Sequence, residues 1–229
     1  MSQNTPASEV LTQLLKQRYS CRQFLPKTVE HSTIEAILAD AQLSPSNCNT
    51  QPWQVHVVSG DTLKKLSQTM LQKAKQQAYS MDFTASVEDY FGVFKQRHHD
   101  MASRYYQAQG IERDDTQARQ AEIARNFTFF DAPHAVFMFM PIFGDGIRSA
   151  VDLGIYTQSF LLSLTARGLA GVPQGILSFF ADDVREILGV SDEFKLAHGI
   201  SFGYADESAP VNSRFMGRVP VSESVTFHE

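Results

Sequence analysis

The sequence contains little cysteine and little tryptophan, and it has no strong excess of charge. Its 229 residues include two cysteines, Cys21 and Cys48, and one tryptophan. Two cysteines are too few for the disulfide framework of a small secreted domain, and a chain of this length buries enough surface to fold without one. We therefore predict two free thiols in a cytoplasmic protein. The formal net charge of −5 argues against nonspecific binding to nucleic acid.

Long apolar segments are also missing. The first ten residues, MSQNTPASEV, have neither the basic region nor the apolar region of a signal peptide. The richest apolar run, AVFMFMPIF at residues 135–143, is well short of the ~18 residues that a membrane helix needs. We therefore expect no signal peptide and no membrane segment.

Several short motifs of well-known enzyme classes are missing as well. The sequence has no glycine-rich phosphate-binding loop, no H-E-x-x-H or C-x-x-C motif, and no G-x-S-x-G nucleophile turn. The one histidine cluster is His98-His99-Asp100, and adjacent residues on a helix point in different directions. We predict a solvated helix face at this cluster, no metal site, and no catalytic side chain.

The secondary structure is predicted from hydrophobic spacing. Apolar residues recur at helical spacing in five segments, at about 10–15, 34–41, 63–71, 151–167 and 182–188. The expected helix ends are a capping box at Ser32 and Glu35, an N-cap at Asp61 and a terminal glycine at Gly168. Strand patterns occupy residues 53–59, 134–143 and 196–205, and the middle one is apolar enough to be buried on both faces. Residues 221–229 are predicted to be extended.

Residues 82–127 differ from the rest of the chain. They are charged, aromatic and helical in tendency, with a break at Gly110. We predict two exposed or partner-facing helices there, inserted into the core fold. Because the chain shows no repeat and no linker, residues 1–229 are predicted to form a single α+β domain with a central mixed β-sheet wrapped by helices.

Three polar segments, far apart in the sequence, carry the candidate chemistry. The first is RYSCR, in which Arg18, Ser20 and Arg22 follow the first helix. Two guanidinium groups beside a hydroxyl suit a phosphate or another anion with several acceptor oxygens. The alternative is a solvated basic helix end that complements the helix dipole.

The second segment is the loop SPSNCNTQPW at residues 44–53. Its side chains Ser46, Asn49 and Gln51 are uncharged, and amides both donate and accept, so they match the edge of a planar heterocycle. Pro45 and Pro52 stiffen the nearby backbone. The alternative is an ordinary turn rich in Asn and Pro, which does not explain Gln51 directly before Pro-Trp.

The third segment is GLAGVPQG at residues 168–175, followed near the C-terminus by NSRFMGRVP. Three glycines permit a close approach of the backbone to a ligand, and the alternative is a plain helix-to-strand connection. The C-terminal stretch adds Arg214 and Arg218, for which solvated charge is the alternative. Together the segments predict a ligand with an anionic end, a polar heterocyclic edge and a flat face. A flavin mononucleotide fits this description, and other nucleotides fit it less well.

These segments resemble the motifs of the FMN-dependent nitroreductase family over nearly the whole chain. RYSCRQF, GLAGVPQG and GRVP match three of the motifs, and SPSNCNTQPW is the most specific match. The helical insertion and NFTFFDAPHAVF are similar to the branch related to nitrobenzoate reductases. Met216 stands where many members carry a basic residue, so Arg218 is preferred to Arg214. The resemblance implies a dimeric, nitroreductase-like fold whose cofactor-binding residues are Arg18, Tyr19, Ser20, Arg22, Pro45, Ser46, Asn49, Gln51, Gln174, Gly175 and Arg218.

The resemblance also implies a reaction and an assembly. NAD(P)H gives hydride to FMN and leaves, and a nitroaromatic or quinone acceptor then takes it. Arg22 is the candidate for stabilising negative charge on the reduced flavin, and the backbone N–H of Gln174 or Gly175 for bonding its hydride-accepting nitrogen. The family site lies at a homodimer interface, with the loop from one subunit and much of the remainder from the other. The alternatives are a sibling that reduces enoates or dehalogenates phenols, and a non-catalytic flavin-binding or storage protein.

Overall fold

A computed structural model describes residues 5–84, 86–213 and 216–229. The helices in these ranges are α1 (Ala7–Gln17), α2 (His31–Gln42), α3 (Gly60–Lys75), α4 (Gly92–Ala108), α5 (Thr116–Ala124), α6 (Ile147–Ala166) and α7 (Ala181–Leu188). The strands are β1 (Gln54–Ser59), β2 (His134–Pro141), β3 (Ala170–Gln174) and β4 (Phe194–Gly203). The α+β class predicted from the sequence is confirmed. Strand β3 was not predicted; it lies within the GLAGVPQG segment.

The four strands form one sheet in the order β1-β2-β4-β3, and each neighbouring pair is antiparallel. The sheet is therefore antiparallel, and the prediction of a mixed sheet was wrong. Outside the strands, isolated parallel bridges join Ser20 to Gly171 and Ser80 to Phe180. The bridge between Ser20 and Gly171 attaches the segment that follows α1 to the edge strand β3, so RYSCR and GLAGVPQG become neighbours.

Helices cover both faces of the sheet. Strand β2 is central, and seven of its eight residues are buried, as predicted for a strand covered on both sides. Its alternate side chains enter two separate cores. Phe137 and Phe139 belong to a core that also contains Leu66 of α3 and Val184 of α7. Residues of the opposite face pack with Ile34 and Ile37 of α2 and with Leu153, Phe160 and Leu164 of α6.

Two of the predicted helix ends are wrong. Helix α2 begins at His31 with Glu30 at the N-cap position, so Ser32 lies inside the first turn and no side chain caps the helix. Helix α3 begins at Gly60, which places Asp61 in the first turn. There the Asp61 carboxylate complements the helix dipole and pairs with Lys64 at 3.2 Å. The predicted C-terminal glycine is confirmed, because Gly168 follows Arg167, the C-cap of α6, and adopts a left-handed φ of +70°.

The predicted helical segment contains α4 and α5, and Gly110 separates them with a φ of +65°. These helices are not simply an exposed appendage, because Glu122 of α5 is buried. The C-terminal tail begins with a 3₁₀ turn at Val221–Glu223 rather than an extended segment. Glu223 pairs with Arg97 of α4 at 3.0 Å, which joins the tail to this helix.

Candidate functional site

A cationic cavity lies where the chain leaves α1. Its volume is about 260 Å³, and its lining includes Arg18, Tyr19, Ser20, Arg22 and Arg218, which are among the residues that the motifs predicted for cofactor binding. The other lining residues that the structure describes are Lys16, Met101, Val211 and Met216. The fold therefore brings together residues from the two ends of the chain. Arg214 lies outside the described residues.

The charges in this cavity are unbalanced. Four of the described lining residues are basic and none is acidic. Burial lowers the pKa of Arg18, and the nearby charge of Arg218 lowers it further. Guanidinium groups held close to one another repel, and an anion placed between them relieves the repulsion. The cavity therefore has the donor set and the charge that a phosphate requires.

Arg22 is the most enclosed of the three arginines. Its backbone N–H donates to Asn212 Oδ1 at 2.9 Å, and its Nη1 donates to the carbonyl of Ser20 at 3.4 Å. Its guanidinium carbon lies 5.0 Å from the ring centroid of Tyr105 in α4. Burial lowers the pKa of Arg22, while Tyr105, Cys21 and Glu122 act in the opposite direction. The guanidinium is thus a positive charge held in a partly dehydrated position, where its electrostatic effect on a ligand is strengthened.

The polar loop at residues 44–53 has an unusual backbone. Cys48, Asn49 and Gln51 all have positive φ values, between 48° and 55°, a region that residues other than glycine seldom adopt. Ser46 Oγ accepts from the Gln51 N–H at 2.8 Å, and the Gln51 carboxamide donates to the Asn49 carbonyl at 3.2 Å. Ser46 is half-buried, while Pro45, Asn49 and Gln51 are exposed. These bonds hold the loop in a defined shape that presents its amides outward.

The same loop is anchored to α6 rather than to the cationic cavity. The Asn47 N–H donates to both carboxylate oxygens of Asp152 at 3.1 Å, and Ser44 Oγ donates to Ser159 Oγ at 2.8 Å. None of the described residues that line the cavity belongs to the loop. One chain therefore does not bring Asn49 and Gln51 into the same cavity as the arginines.

Gln174 and Gly175 have different environments, although they are adjacent. The Gln174 side chain is buried; it accepts a hydrogen bond from Ser201 Oγ and donates to the Asn126 carbonyl at 3.1 Å. The side chain is thus committed to the fold, and Gln174 is the last residue of β3, where it pairs with Gly199 of β4. Gly175 faces open space, since a Cβ built there has no heavy atom within 4 Å. The other two glycines of the segment serve the fold: Gly168 ends α6, and Gly171 packs against Leu164 and Leu161.

Sequence reasoning missed two residues that contact Arg22. Asn212 accepts from the Arg22 N–H and also donates to the carbonyls of Gln23 and Asp206, each at 2.9 Å. Tyr105 was predicted to lie in an exposed or partner-facing helix, yet its ring packs on Arg22. Neither residue carries a sequence signal, because each acts through a partner that is distant along the chain.

The histidines and cysteines do not form a metal centre in the part of the chain that the structure describes, where no group of three or more potential ligands is close enough. Burial lowers the pKa of His56, His134 and His198, the last to about 4. Both cysteines are free as predicted, with Cys21 buried and Cys48 exposed. No described helix is long and apolar enough to cross a membrane.

Comparison with known proteins agrees with the geometry. Residues 15–204 match the Nitroreductase family. The chain is 40% identical over 220 residues to the nitroreductase NfnB of Mycolicibacterium smegmatis. The aligned region covers 96% of this chain and 93% of that protein. It is 32% identical over 202 residues to a 4-nitrobenzoate reductase of Pseudomonas putida, covering 88% of each.

The fold comparison gives the same result. The structure of the FMN-dependent nitroreductase NfnB from Mycobacterium smegmatis in complex with NADPH superimposes with a TM-score of 0.93 at 38% identity. The superposition covers 98% of this chain and 100% of the other. The family and the nitroreductase-like fold predicted from the motifs are therefore confirmed, and this chain belongs to the nitroreductase family.

Proposed function

We propose that this protein is an FMN-dependent nitroreductase that oxidises NADPH and reduces nitroaromatic compounds. The observation that carries the proposal is the cavity in which Arg18, Arg22 and Arg218 lie together and none of the described lining residues is acidic. The relatives support the choice of cofactor and co-substrate, because the similar NfnB structure is of an FMN-dependent enzyme in complex with NADPH.

The residues of the cavity fit the phosphate end of FMN. Arg18 and Arg218 carry charges that repel one another, and a phosphate dianion would satisfy both. Ser20, half-buried between Arg18 and Arg22 in sequence, adds a hydroxyl to the same lining. Tyr19 lines this cavity and a second one next to β3. We assign the phosphate to Arg18, Ser20 and Arg218.

The other predicted contacts fit the ring and the ribityl chain. Ser46, Asn49 and Gln51 offer neutral donors and acceptors on a stiff loop next to Pro45, and Gly175 offers a backbone that a flat ligand can approach. Arg22 places a positive charge where charge on a bound ligand would be stabilised. When bound, FMN supplies the hydride-carrying chemistry, and the protein supplies position and electrostatics. No side chain of the site is required as a proton donor.

We further propose that the active unit is a homodimer whose sites combine residues of both chains. The loop and the cationic cavity do not meet within one chain, so a second copy is needed to bring them together. Large apolar side chains are also exposed on neighbouring helices: Val10, Leu11 and Leu15 on α1, and Ile147 and Val151 on α6. Such surfaces mark interaction sites on soluble proteins.

Several further expectations complete the proposal. Residues 1–229 would act as one FMN-binding domain, with α4 and α5 as its insertion. Quinones are a second expected class of acceptor. The cytoplasmic location stays a prediction.

The test begins with the absorbance spectrum of the purified protein. We expect the bands of oxidised flavin, and heat denaturation should release a flavin with one phosphate. The holoprotein should then oxidise NADPH through many turnovers when a nitroaromatic compound is added. A storage protein would instead show one slow, stoichiometric reduction. A colourless protein that does not bind added FMN would contradict the proposal. Turnover with enoates or halogenated phenols, but not with nitroaromatic compounds, would show that the enzyme uses another class of acceptor.

A further inference from the structure

A buried carboxylate is connected, through Tyr105 and Arg125, to Arg22 of the cationic cavity. Glu122 of α5 is 7% exposed and accepts hydrogen bonds from three side chains. Gln109 donates at 3.2 Å, Arg125 Nη1 donates at 3.0 Å, and the hydroxyl of Tyr105 makes a short bond to the same oxygen. A buried ion pair is not needed for stability as such, since well-packed apolar residues in the same place are often at least as stable. The position of Glu122 therefore calls for another explanation.

The first connection from Glu122 runs through Arg125 to the backbone of Arg22. While Arg125 Nη1 bonds Glu122, its Nη2 donates to the backbone carbonyl of Arg22 at 2.7 Å and to Gln23 Oε1. The guanidinium fork thus ties the carboxylate to the segment that carries Arg22. The planar geometry of the fork makes both bonds directional, so they define the position of the Arg22 backbone.

The second connection from Glu122 runs through Tyr105 to the side chain of Arg22. The Tyr105 ring faces the guanidinium of Arg22 with its centroid 5.0 Å from the guanidinium carbon, and its hydroxyl bonds Glu122. The hydrogen bond restrains the ring, and the ring restrains the guanidinium through a cation–π contact. Glu122 is therefore connected to both the backbone and the guanidinium group of Arg22.

We infer that Glu122 is a positioning residue for Arg22, acting on its backbone through Arg125 and on its guanidinium through Tyr105. The inference rests on the proposed function, in which Arg22 faces the cofactor. It also gives the inserted helices a role in the site: α4 contributes Tyr105, α5 contributes Glu122, and Arg125 follows α5 directly. The insertion supports the charge that the site uses.

The test compares conservative variants of the cluster with a matched control. Glu122→Gln keeps the shape and removes the charge, and Tyr105→Phe keeps the ring and removes the bond to Glu122. Tyr106→Phe is the control, because Tyr106 is adjacent but its ring packs against Arg119, 4.2 Å from the ring centroid. We measure the Kd for FMN by fluorescence titration of each apoprotein, the midpoint potential of the bound flavin, and the unfolding midpoint. Glu122→Gln should raise the Kd about three- to thirtyfold, as expected for directly coupled groups, and it should shift the potential. Tyr106→Phe should change neither.

A double-mutant cycle with Arg22→Ala decides whether Glu122 acts through Arg22. In that background, Glu122→Gln should change the Kd by less than about twofold, because the group that it positions is gone. Equal effects in both backgrounds, or a lower unfolding midpoint with unchanged Kd and potential, would overturn the inference. If Glu122→Gln does not fold, Tyr105→Phe takes its place in the cycle. A wild-type protein that binds no FMN would overturn the proposed function, whereas FMN binding with an additive cycle would overturn only the role of Glu122.

Discussion

Arg18 and Arg218 line one cavity, although 199 residues lie between them in the sequence of 229. Burial lowers the pKa of Arg18 and the charge of Arg218 lowers it further, so the two groups repel one another in the absence of an anion. A cluster of positive charge without an acidic neighbour among the described lining residues favours an anionic ligand such as phosphate. Perturbed pKa values of this kind cluster at functional sites.

Replacing Arg218 by alanine should weaken FMN binding. The variant loses a charge-assisted contact of roughly 1.5 to 3 kcal/mol, which corresponds to an increase in Kd of about tenfold or more. The measurement is a fluorescence titration of the apoprotein with FMN. Arg113→Ala, at an exposed arginine outside the cavity, is the control and should bind FMN normally. Unchanged affinity in Arg218→Ala would assign Arg218 to the solvated surface.

Gln51→Ala should impair the cofactor site while the fold stays intact. Gln51 is exposed, and its amide bonds lie within the loop and with Gln42, so we expect stability to change by no more than about 0.5 kcal/mol. Flavin binding should weaken and the reduction potential should shift, since a neutral amide at the ring edge is lost. The exposed Gln68→Ala serves as control. If Gln51→Ala binds FMN with the wild-type Kd and the bound flavin keeps its wild-type potential, the loop is not part of the site.

Subunit exchange tests the shared site. Chains with Gln51→Ala and chains with Arg218→Ala are mixed, and formation of the heterodimer is verified by mass. If each site combines the loop of one subunit with the arginines of the other, one site of the heterodimer carries both changes and the other carries none. Activity per heterodimer should therefore recover to near half of wild type. Absence of recovery would mean that each site is built within one chain.

Two glycines of the GLAGVPQG segment should respond differently to alanine. At Gly171 a Cβ would lie 2.9 Å from Leu164 Cδ1 and 3.2 Å from Leu161 Cδ2, so overpacking should cost about 1 to 3 kcal/mol of unfolding free energy. At Gly175 nothing lies within 4 Å, so stability should be retained. FMN binding should weaken instead, because the added methyl group occupies the space through which a ligand approaches. Urea unfolding of the apoproteins and FMN titration separate the two effects, and a stable Gly171→Ala or a Gly175→Ala with normal affinity would contradict this assignment.

His198 should make the protein less stable in mild acid. Burial lowers its pKa from 6.5 to about 4 in the folded state. The unfolded chain therefore binds a proton first as the pH falls, so the stabilisation present above pH 6.5 is lost between about 6.5 and 4. The loss amounts to at most about 3 kcal/mol. His198→Gln should flatten this part of the pH–stability curve measured by urea unfolding, and an unchanged slope would show that His198 titrates normally.

Much of the local structure was determined by the sequence itself. The apolar run at residues 134–143 predicted a strand covered on both faces, and Gly168 predicted the end of α6, because burial pattern and glycine chemistry act over a few residues. The motifs RYSCRQF and SPSNCNTQPW identified the family for the same reason, as each concentrates its chemistry in one short segment. The predicted starts of α2 and α3 were wrong, since several polar residues near a helix start satisfy the same signal.

The tertiary structure decided which of these segments meet. The bridge between Ser20 and Gly171 places the first motif beside β3, and Asn212 bonds the Arg22 backbone across 190 residues of chain. Only packing revealed that Gly171 serves the core while Gly175 faces open space, and that Tyr105 of α4 contacts Arg22 and bonds Glu122 of α5. Local propensity carries information about neighbours in sequence, whereas these contacts depend on how helices close over both faces of one sheet. A site assembled from distant segments is therefore decided by the fold.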